Sequence, residues 1–222
     1  KKIWDASGLL LELVNEVLDM GKLESGEIML EEREFDLKEL LDSVGVVVDK
    51  QARERRITII TDGYPVEHRC PLGSPLHLRR LLMNIISNAV KYNHAGGEVR
   101  LGCREKPSAD PETAQIEFTC ADTGIGMSEE FQKHVFEPFA QERNFARSEY
   151  GGTGLGMPIA KSLAEKMGGT LSFVSRQGVG TTFTLSLSFR ICHAPEKRNK
   201  PKRLLQTSSI AGLHVLVAED NR

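Results

Sequence analysis

Leu78-Arg79-Arg80-Leu81-Leu82-Met83-Asn84-Ile85-Ile86-Ser87-Asn88-Ala89-Val90-Lys91-Tyr92 carries two patterns on one stretch. Leu78, Leu81, Leu82, Ile85, Ile86 and Ala89 recur at helical spacing, which commits one flank of a helix to a core. Asn84, Asn88 and Lys91 fall at i, i+4 and i+7, stacking two amides and an ammonium along another flank. Asparagine is a poor helix-interior residue because its amide competes for backbone hydrogen bonds. Two of them a turn apart, with a lysine beyond, mark a place where something polar is held. A solvated helix face would show the same spacing, so the decision falls to the sequence downstream.

Two further stretches need the same explanation. Ile116-Glu117-Phe118-Thr119-Cys120-Ala121 alternates as a strand and runs straight into Asp122-Thr123-Gly124-Ile125-Gly126. A carboxylate at a strand end, beside glycines that let a ligand approach, can accept a hydrogen bond from an exocyclic amine such as adenine's; an ordinary Asp-Thr-Gly turn is the alternative. Gly152-Thr153-Gly154-Leu155-Gly156 leads into a helix, and glycines there leave backbone N–H groups and a positive dipole end open to phosphates. No Gly-Lys-Ser/Thr follows, so this is not a P-loop, and no strand immediately precedes it, so it is not a dinucleotide fingerprint. Lys91 would offset phosphate charge and Tyr92 could flank a base. The Asn88 side-chain carbonyl suits Mg²⁺, a hard ion that takes oxygen and usually only one or two protein ligands.

The rest of the chain frames these pieces. Residues 1–21 form one amphipathic helix with a double apolar stripe (Ile3, Leu10, Val14, Val17; Trp4, Leu11, Leu18) that needs partner helices. Gly21 and Glu24-Ser25-Gly26 end it. A short strand lies within 27–35, and Asp36 caps a helix through Leu37, Leu40, Leu41, Val44 and Val48, with Glu39 completing a capping box. Ile57-Thr58-Ile59-Ile60 is a strand closed by Asp62-Gly63. Ser74-Pro75 opens the asparagine helix. Strands follow at 98–104 and 115–121, then a short helix from Ser128, a mobile loop over 141–153, a helix over 154–167, and a hairpin of 170–175 with 181–189.

Bulk composition excludes several classes. The 222 residues are 40% apolar and 27% charged, with net charge −2, which advertises neither a nucleic-acid nor a membrane partner. No run approaches a membrane span and the start is not a signal peptide, so the location expected is cytoplasmic, with any membrane anchor of the parent protein lying upstream. The four cysteines are isolated, so a disulfide or zinc site is not expected.

Four motifs in this order resemble the ATP-binding domain of sensor histidine kinases: Asn84-Ile85-Ile86-Ser87-Asn88-Ala89-Val90-Lys91-Tyr92, Asp122-Thr123-Gly124-Ile125-Gly126, Phe136-Glu137-Pro138-Phe139 and Gly152-Thr153-Gly154-Leu155-Gly156. The resemblance covers about residues 36–190 and implies a Bergerat-type two-layer α/β sandwich: a mixed sheet with helices on one face, preceded by the long amphipathic helix. It implies ATP and Mg²⁺ as ligands. Asn88 would ligate Mg²⁺, and Asn84 and Lys91 would hold the phosphates as the catalytic group. Tyr92, Asp122, Gly124 and Gly126 would hold the base, and Gly152, Thr153, Gly154, Leu155 and Gly156 would carry a lid. The family has an Asp where Ser74 stands, and a Thr-Arg pair before the lid glycines. Here Arg143 and Arg147 are alternatives for the γ-phosphate. Phe136 and Phe139 read as lid-base packing or as plain core.

The flanks extend the resemblance. Residues 9–26 resemble the end of a dimerisation helix, and Val215-Leu216-Val217-Ala218-Glu219-Asp220-Asn221 resembles the first strand of a receiver domain. The organisation implied is 1–26 dimerisation helix, 27–192 catalytic domain, 193–212 linker and 213–222 the start of a receiver, within a homodimeric hybrid kinase. None of the six histidines lies in a phosphate-accepting context. Two other functions fit less well: a degenerate ATP-binding scaffold without turnover, and a hydrolytic ATPase of the same superfold. The hydrolase needs a carboxylate base one turn before the Mg²⁺ ligand, where this chain has the amide of Asn84.

Overall fold

The computed structural model describes residues 13–23, 25–142 and 153–191. Trp4, Leu11, Arg143, Arg147, Gly152, most of the expected 141–153 loop, and the whole of 193–222 lie outside them.

The elements follow from local sequence. Helix α1 covers residues 13–23. Gly21 does not end it: nothing lies within 4 Å of a Cβ built there, and Met20 and Leu23, on either side, pack on the core. Strand β1 is reduced to Arg33–Glu34, and helix α2 spans Leu37–Arg55. Asp36 Oδ1 accepts the Glu39 N–H at 3.1 Å, and Arg56 closes α2 in the left-handed region at φ 60°. Strands β2 (Thr58–Thr61) and β3 (Pro71–Gly73) precede helix α3 (Pro75–Lys91). Pro75 holds its first position, but the Ser74 hydroxyl does not cap it; Ser74 Oγ pairs with His77 Nδ1 at 2.7 Å.

Strands β4 (Glu98–Lys106) and β5 (Thr113–Asp122) run longer than their alternation alone indicated. Helix α4 is one turn, Glu129–Gln132, capped by Ser128 Oγ on the Phe131 N–H at 3.2 Å. Helix α5 is Gly156–Lys166, two residues later than expected because Gly154 sits at φ +75°, outside any helix. Strands β6 (Thr170–Arg176) and β7 (Gly180–Ile191) complete the hairpin.

The sheet order is β1-β3-β7-β5-β4-β2, with β6 also on β7. Among the described residues only β2 and β4 pair in parallel; the other pairs are antiparallel. Alternation then divides the sheet. Val99, Leu101, Cys103, Ile116, Phe118, Cys120, Leu185 and Leu187 are buried on one face, where β4 and β5 meet α3, while α2 packs on α3 and so does α5. The other face carries Thr119, Ser186 and Ser188, with Glu117 held by Arg104 and Lys106. Helix α3 is the hinge between layers, because Leu78 and Leu81 are fully buried and Leu82, Ile85 and Ile86 nearly so. Each such side chain contributes about 1.5–3 kcal/mol of burial. The result is the mixed sheet with helices on one face that the resemblance implied.

Candidate functional site

Burying one flank of α3 forces Asn84, Ser87 and Asn88 toward the opposite side, where they reach only half-burial. There they line a cavity of about 840 Å³. Among the described residues no hydrogen bond is made by either asparagine amide, so two half-buried amides face the cavity without a protein partner. The far wall is the end of β5. Asp122 is its last residue, and its Oδ1 accepts the Gly124 N–H at 2.8 Å and the Thr181 N–H at 3.2 Å. Oδ2 has no partner among the described residues, which leaves one carboxylate oxygen for a ligand. Burial pushes the Asp122 carboxyl above its ordinary range, and the two backbone hydrogen bonds oppose that rise.

Glycines make this wall by letting backbone pass close to backbone. A Cβ on Gly124 would stand 2.4 Å from the Tyr92 carbonyl oxygen, and one on Gly180 would stand 2.0 Å from the Asp122 carbonyl oxygen. Gly180 was not singled out in the sequence, where its place in a hairpin hid its second role. Tyr92 ends α3, and its carbonyl accepts the Ile125 N–H at 3.1 Å, tying the helix terminus to the turn after Asp122. Lys91 Nζ lies 5.1 Å from the Tyr92 ring centroid, and burial raises the Tyr92 phenol.

The cover comes from the turn before α5. Thr153 Oγ1 accepts the Leu155 N–H at 3.2 Å. A Cβ on Gly154 would stand 2.8 Å from the Phe139 carbonyl carbon, and one on Gly156 would come 4.0 Å from Asn84 Oδ1 and Asn88 Nδ2. Phe139 is held at φ 63°, 62% exposed, with its N–H donated to the Gly154 carbonyl at 3.1 Å. Phe136 belongs to the core instead, edge-on to Phe173 at 5.6 Å.

Of the residues expected at the site, Asn84, Asn88, Lys91, Tyr92, Asp122, Gly126, Thr153, Gly154 and Gly156 line this one cavity. Gly124 and Leu155 stand behind it, the first making room for Tyr92, the second buried to 1% as the plug under α5. Arg143 and Gly152 lie outside the described residues. Other lining residues had no local signal. Gln51, Glu54 and Arg55 come from the last turns of α2, and Leu13 and Glu16 from α1. Arg55 Nη1 donates to the Lys91 carbonyl at 3.0 Å, neutralising the C-terminus of α3.

Elsewhere, histidines serve local pairs: His68 Nδ1 meets Glu105 at 2.6 Å and His134 Nδ1 meets Glu137 at 2.9 Å. Cys103 and Cys120 are free and buried, and burial pushes the Cys103 thiol up to about 12. No cluster of three or more His, Cys, Asp or Glu side chains suited to a metal exists among the described residues, and no helix there is long and apolar enough to cross a membrane.

The family described as histidine kinase-, DNA gyrase B- and HSP90-like ATPase matches residues 73–191. The sensory/regulatory protein RpfC of Xanthomonas campestris pv. campestris is 37% identical over 185 residues, 82% of this chain and 25% of that protein. The sensor protein GacS of Pseudomonas syringae pv. syringae is 33% identical over 210 residues, 95% of this chain and 22% of that protein. This chain therefore spans about a quarter of the length of such relatives. Among solved structures, full-length ShkA in complex with AMPPNP superposes with TM-score 0.71 at 30% identity, covering 86% of this chain and 38% of that one. The Acinetobacter baumannii histidine kinase AdeS shares the fold, with TM-score 0.64 at 19% identity over 85% of this chain and 82% of that one.

Proposed function

The chain belongs to the histidine kinase-, DNA gyrase B- and HSP90-like ATPases, and from that premise we propose that it is the catalytic domain of a hybrid sensor histidine kinase. It binds Mg-ATP and passes the γ-phosphoryl group to a histidine that is not among its own six. The observation that carries this is the cavity whose opposite walls each end in a polar group without a partner among the described residues: the Asn84 and Asn88 amides on α3 and Oδ2 of Asp122. Asp122 is rigid through Oδ1 and presents Oδ2 to the exocyclic amine of adenine. Met127, Phe131 and Met157 give the base an apolar slot.

The donor set fits Mg²⁺. A single neutral amide oxygen from Asn88 suits an ion that keeps most of its shell as water and phosphate oxygens. When bound, the ion supplies charge neutralisation across the phosphates. The chain's own residues do the positioning: Lys91 and Asn84 hold the phosphate chain, and residues 153–156 fold over it. Phosphoryl transfer asks for placement and charge compensation more than for covalent chemistry. Asn84 cannot take a proton from water, which favours transfer to an imidazole over hydrolysis.

On the same reading, residues 1–26 belong to the dimerisation helices of a homodimer, 27–192 to the catalytic domain and 193–212 to a linker. Residues 213–222 then begin the receiver domain that takes the phosphoryl group next. The test mixes the chain with a dimerisation-helix fragment bearing the acceptor histidine and with ATP labelled at the γ-phosphate. Acid-labile, Mg²⁺-dependent label on the fragment is expected. Label released only as inorganic phosphate points to the hydrolase, and failure to bind Mg-ATP in calorimetry points to the scaffold.

A further inference from the structure

We propose that Glu16 on α1 sets the preference of this cavity between nucleoside triphosphate and diphosphate, by holding a carboxylate where the terminal phosphate arrives. The inference rests on the nucleotide reading above and adds a control that reading does not contain. Helix α1 is docked at three points: Leu23 is buried, Asp19 pairs with Arg80 of α3, and Thr153 Oγ1 donates to Glu16 Oε2. The last contact joins α1 to the turn that covers the cavity, and Glu16 itself lines it.

The order of groups along the cavity gives the contact its meaning. Thr153 lies three residues before Gly156, whose missing Cβ points to within 4.0 Å of Asn84 and Asn88. Glu16 is therefore at the asparagine end. Asp122 is at the other end, beside the Tyr92 carbonyl through Gly124. Asn84 and Tyr92 are separated along α3 by about 12 Å of helix rise. A base at Asp122 sends its phosphate chain past Lys91, Asn88 and Asn84 toward Glu16. Arg55 and Lys91, the cations among the described lining residues, sit together at the Tyr92 end. At the far end a terminal phosphate meets the Glu16 carboxylate, and like charges in a partly desolvated cavity repel. A diphosphate stops short of it. Coupling is reciprocal, so triphosphate must loosen docked α1 by the same factor by which docked α1 weakens triphosphate.

Calorimetry of the chain and of Glu16→Gln with Mg-ATP and Mg-ADP tests this. Glutamine keeps an acceptor oxygen for Thr153 and removes only the charge. The expected result is Mg-ATP binding tightened by about tenfold and Mg-ADP by no more than about threefold. In parallel, amide hydrogen exchange over residues 13–23 of the wild-type chain is expected to speed up with Mg-ATP and to stay unchanged with Mg-ADP. An unchanged ATP-to-ADP ratio in Glu16→Gln, with both nucleotides binding, overturns this inference alone. So does exchange that ignores Mg-ATP. A wild-type chain that binds neither nucleotide overturns the proposed function and this inference with it.

Discussion

Replacing Asp122 with asparagine changes one atom at a position where the structure separates stability from binding. In Asp122→Asn the amide oxygen can keep both backbone hydrogen bonds, from Gly124 and Thr181. The NH₂ group then takes the place of Oδ2 and aims a donor at the adenine amine, itself a donor. Losing a hydrogen bond to a charged acceptor costs about 1.5–3 kcal/mol, and a desolvated donor left without an acceptor costs about 1–3 more. At about 1.4 kcal/mol per tenfold, a loss of roughly 3–4 kcal/mol weakens Mg-ATP binding by about 100- to 1,000-fold. Folding moves the other way. Burial raises the Asp122 carboxyl in the folded chain, so the folded state binds the proton more tightly than the unfolded one. The ionised group therefore lowers stability as pH rises through the folded pKa, and at neutral pH the variant is expected to melt at the same temperature or higher. Calorimetric titration with Mg-ATP, paired with thermal melts from pH 4 to 8, measures both halves. Inosine triphosphate, with an oxygen in place of the amine, is expected to close most of the gap to ATP in the variant. Mg-ATP affinity within about threefold of wild type, or an unchanged preference for ATP over inosine triphosphate, refutes the assigned role of Asp122.

Three other outcomes follow from the geometry. In Asn88→Ala the dependence of ATP affinity on Mg²⁺ is expected to fall by about tenfold or more, measured as the ratio of Kd with Mg²⁺ to Kd with EDTA. Gly154→Ala puts a Cβ 2.8 Å from the Phe139 backbone at φ +75°; left-handed strain of about 1–2 kcal/mol before the clash predicts a Tm lower by about 4 °C or more in calorimetry. Glu117 is held below the usual carboxylate range by hydrogen bonds from Lys106 and Arg104. Its contribution is present above the unfolded pKa and lost as pH falls through the folded one, so urea midpoints of Glu117→Gln are expected to converge on wild type in acid and fall below it at neutral pH.

The parts of the fold legible in the sequence are those where one residue spacing dominates. Helix α3 declares itself because its apolar residues keep a 3.6-residue period for most of its length, and β5 and β7 because they alternate over 115–121 and 181–189 within the longer strands. Strand β3 does not: Pro71-Leu72-Gly73 is too short to show a period, and it is a strand because β7 pairs with it at Pro71 and Leu72 and β1 at Leu72 and Gly73. Strand β1, two residues long, exists on the same terms. Boundaries slipped where glycine has two readings. Gly21 is helical because nothing crowds it, whereas Gly154 is not because Phe139 packs against it.

The site divides along a similar line. Side chains brought in by a short motif, such as Asn84, Asn88 and Asp122, were legible because the residue types are costly where they stand. Groups that reach the cavity through tertiary packing were not. The Thr181 N–H is backbone and leaves no trace in residue identity, and the Thr153–Glu16 contact joins positions 137 residues apart. Local rules are broken at asparagines inside a helix, at a half-buried carboxyl and at a left-handed phenylalanine against a left-handed glycine. Any one of these alone is tolerable irregularity. Asn84, Asn88, Asp122 and Gly154 line one cavity, while the core beside it keeps ordinary alternation and helical spacing, and that separation favours a ligand site over poor packing. Variants that relieve these irregularities, Asp122→Asn first among them, should therefore hold or gain stability as they lose nucleotide.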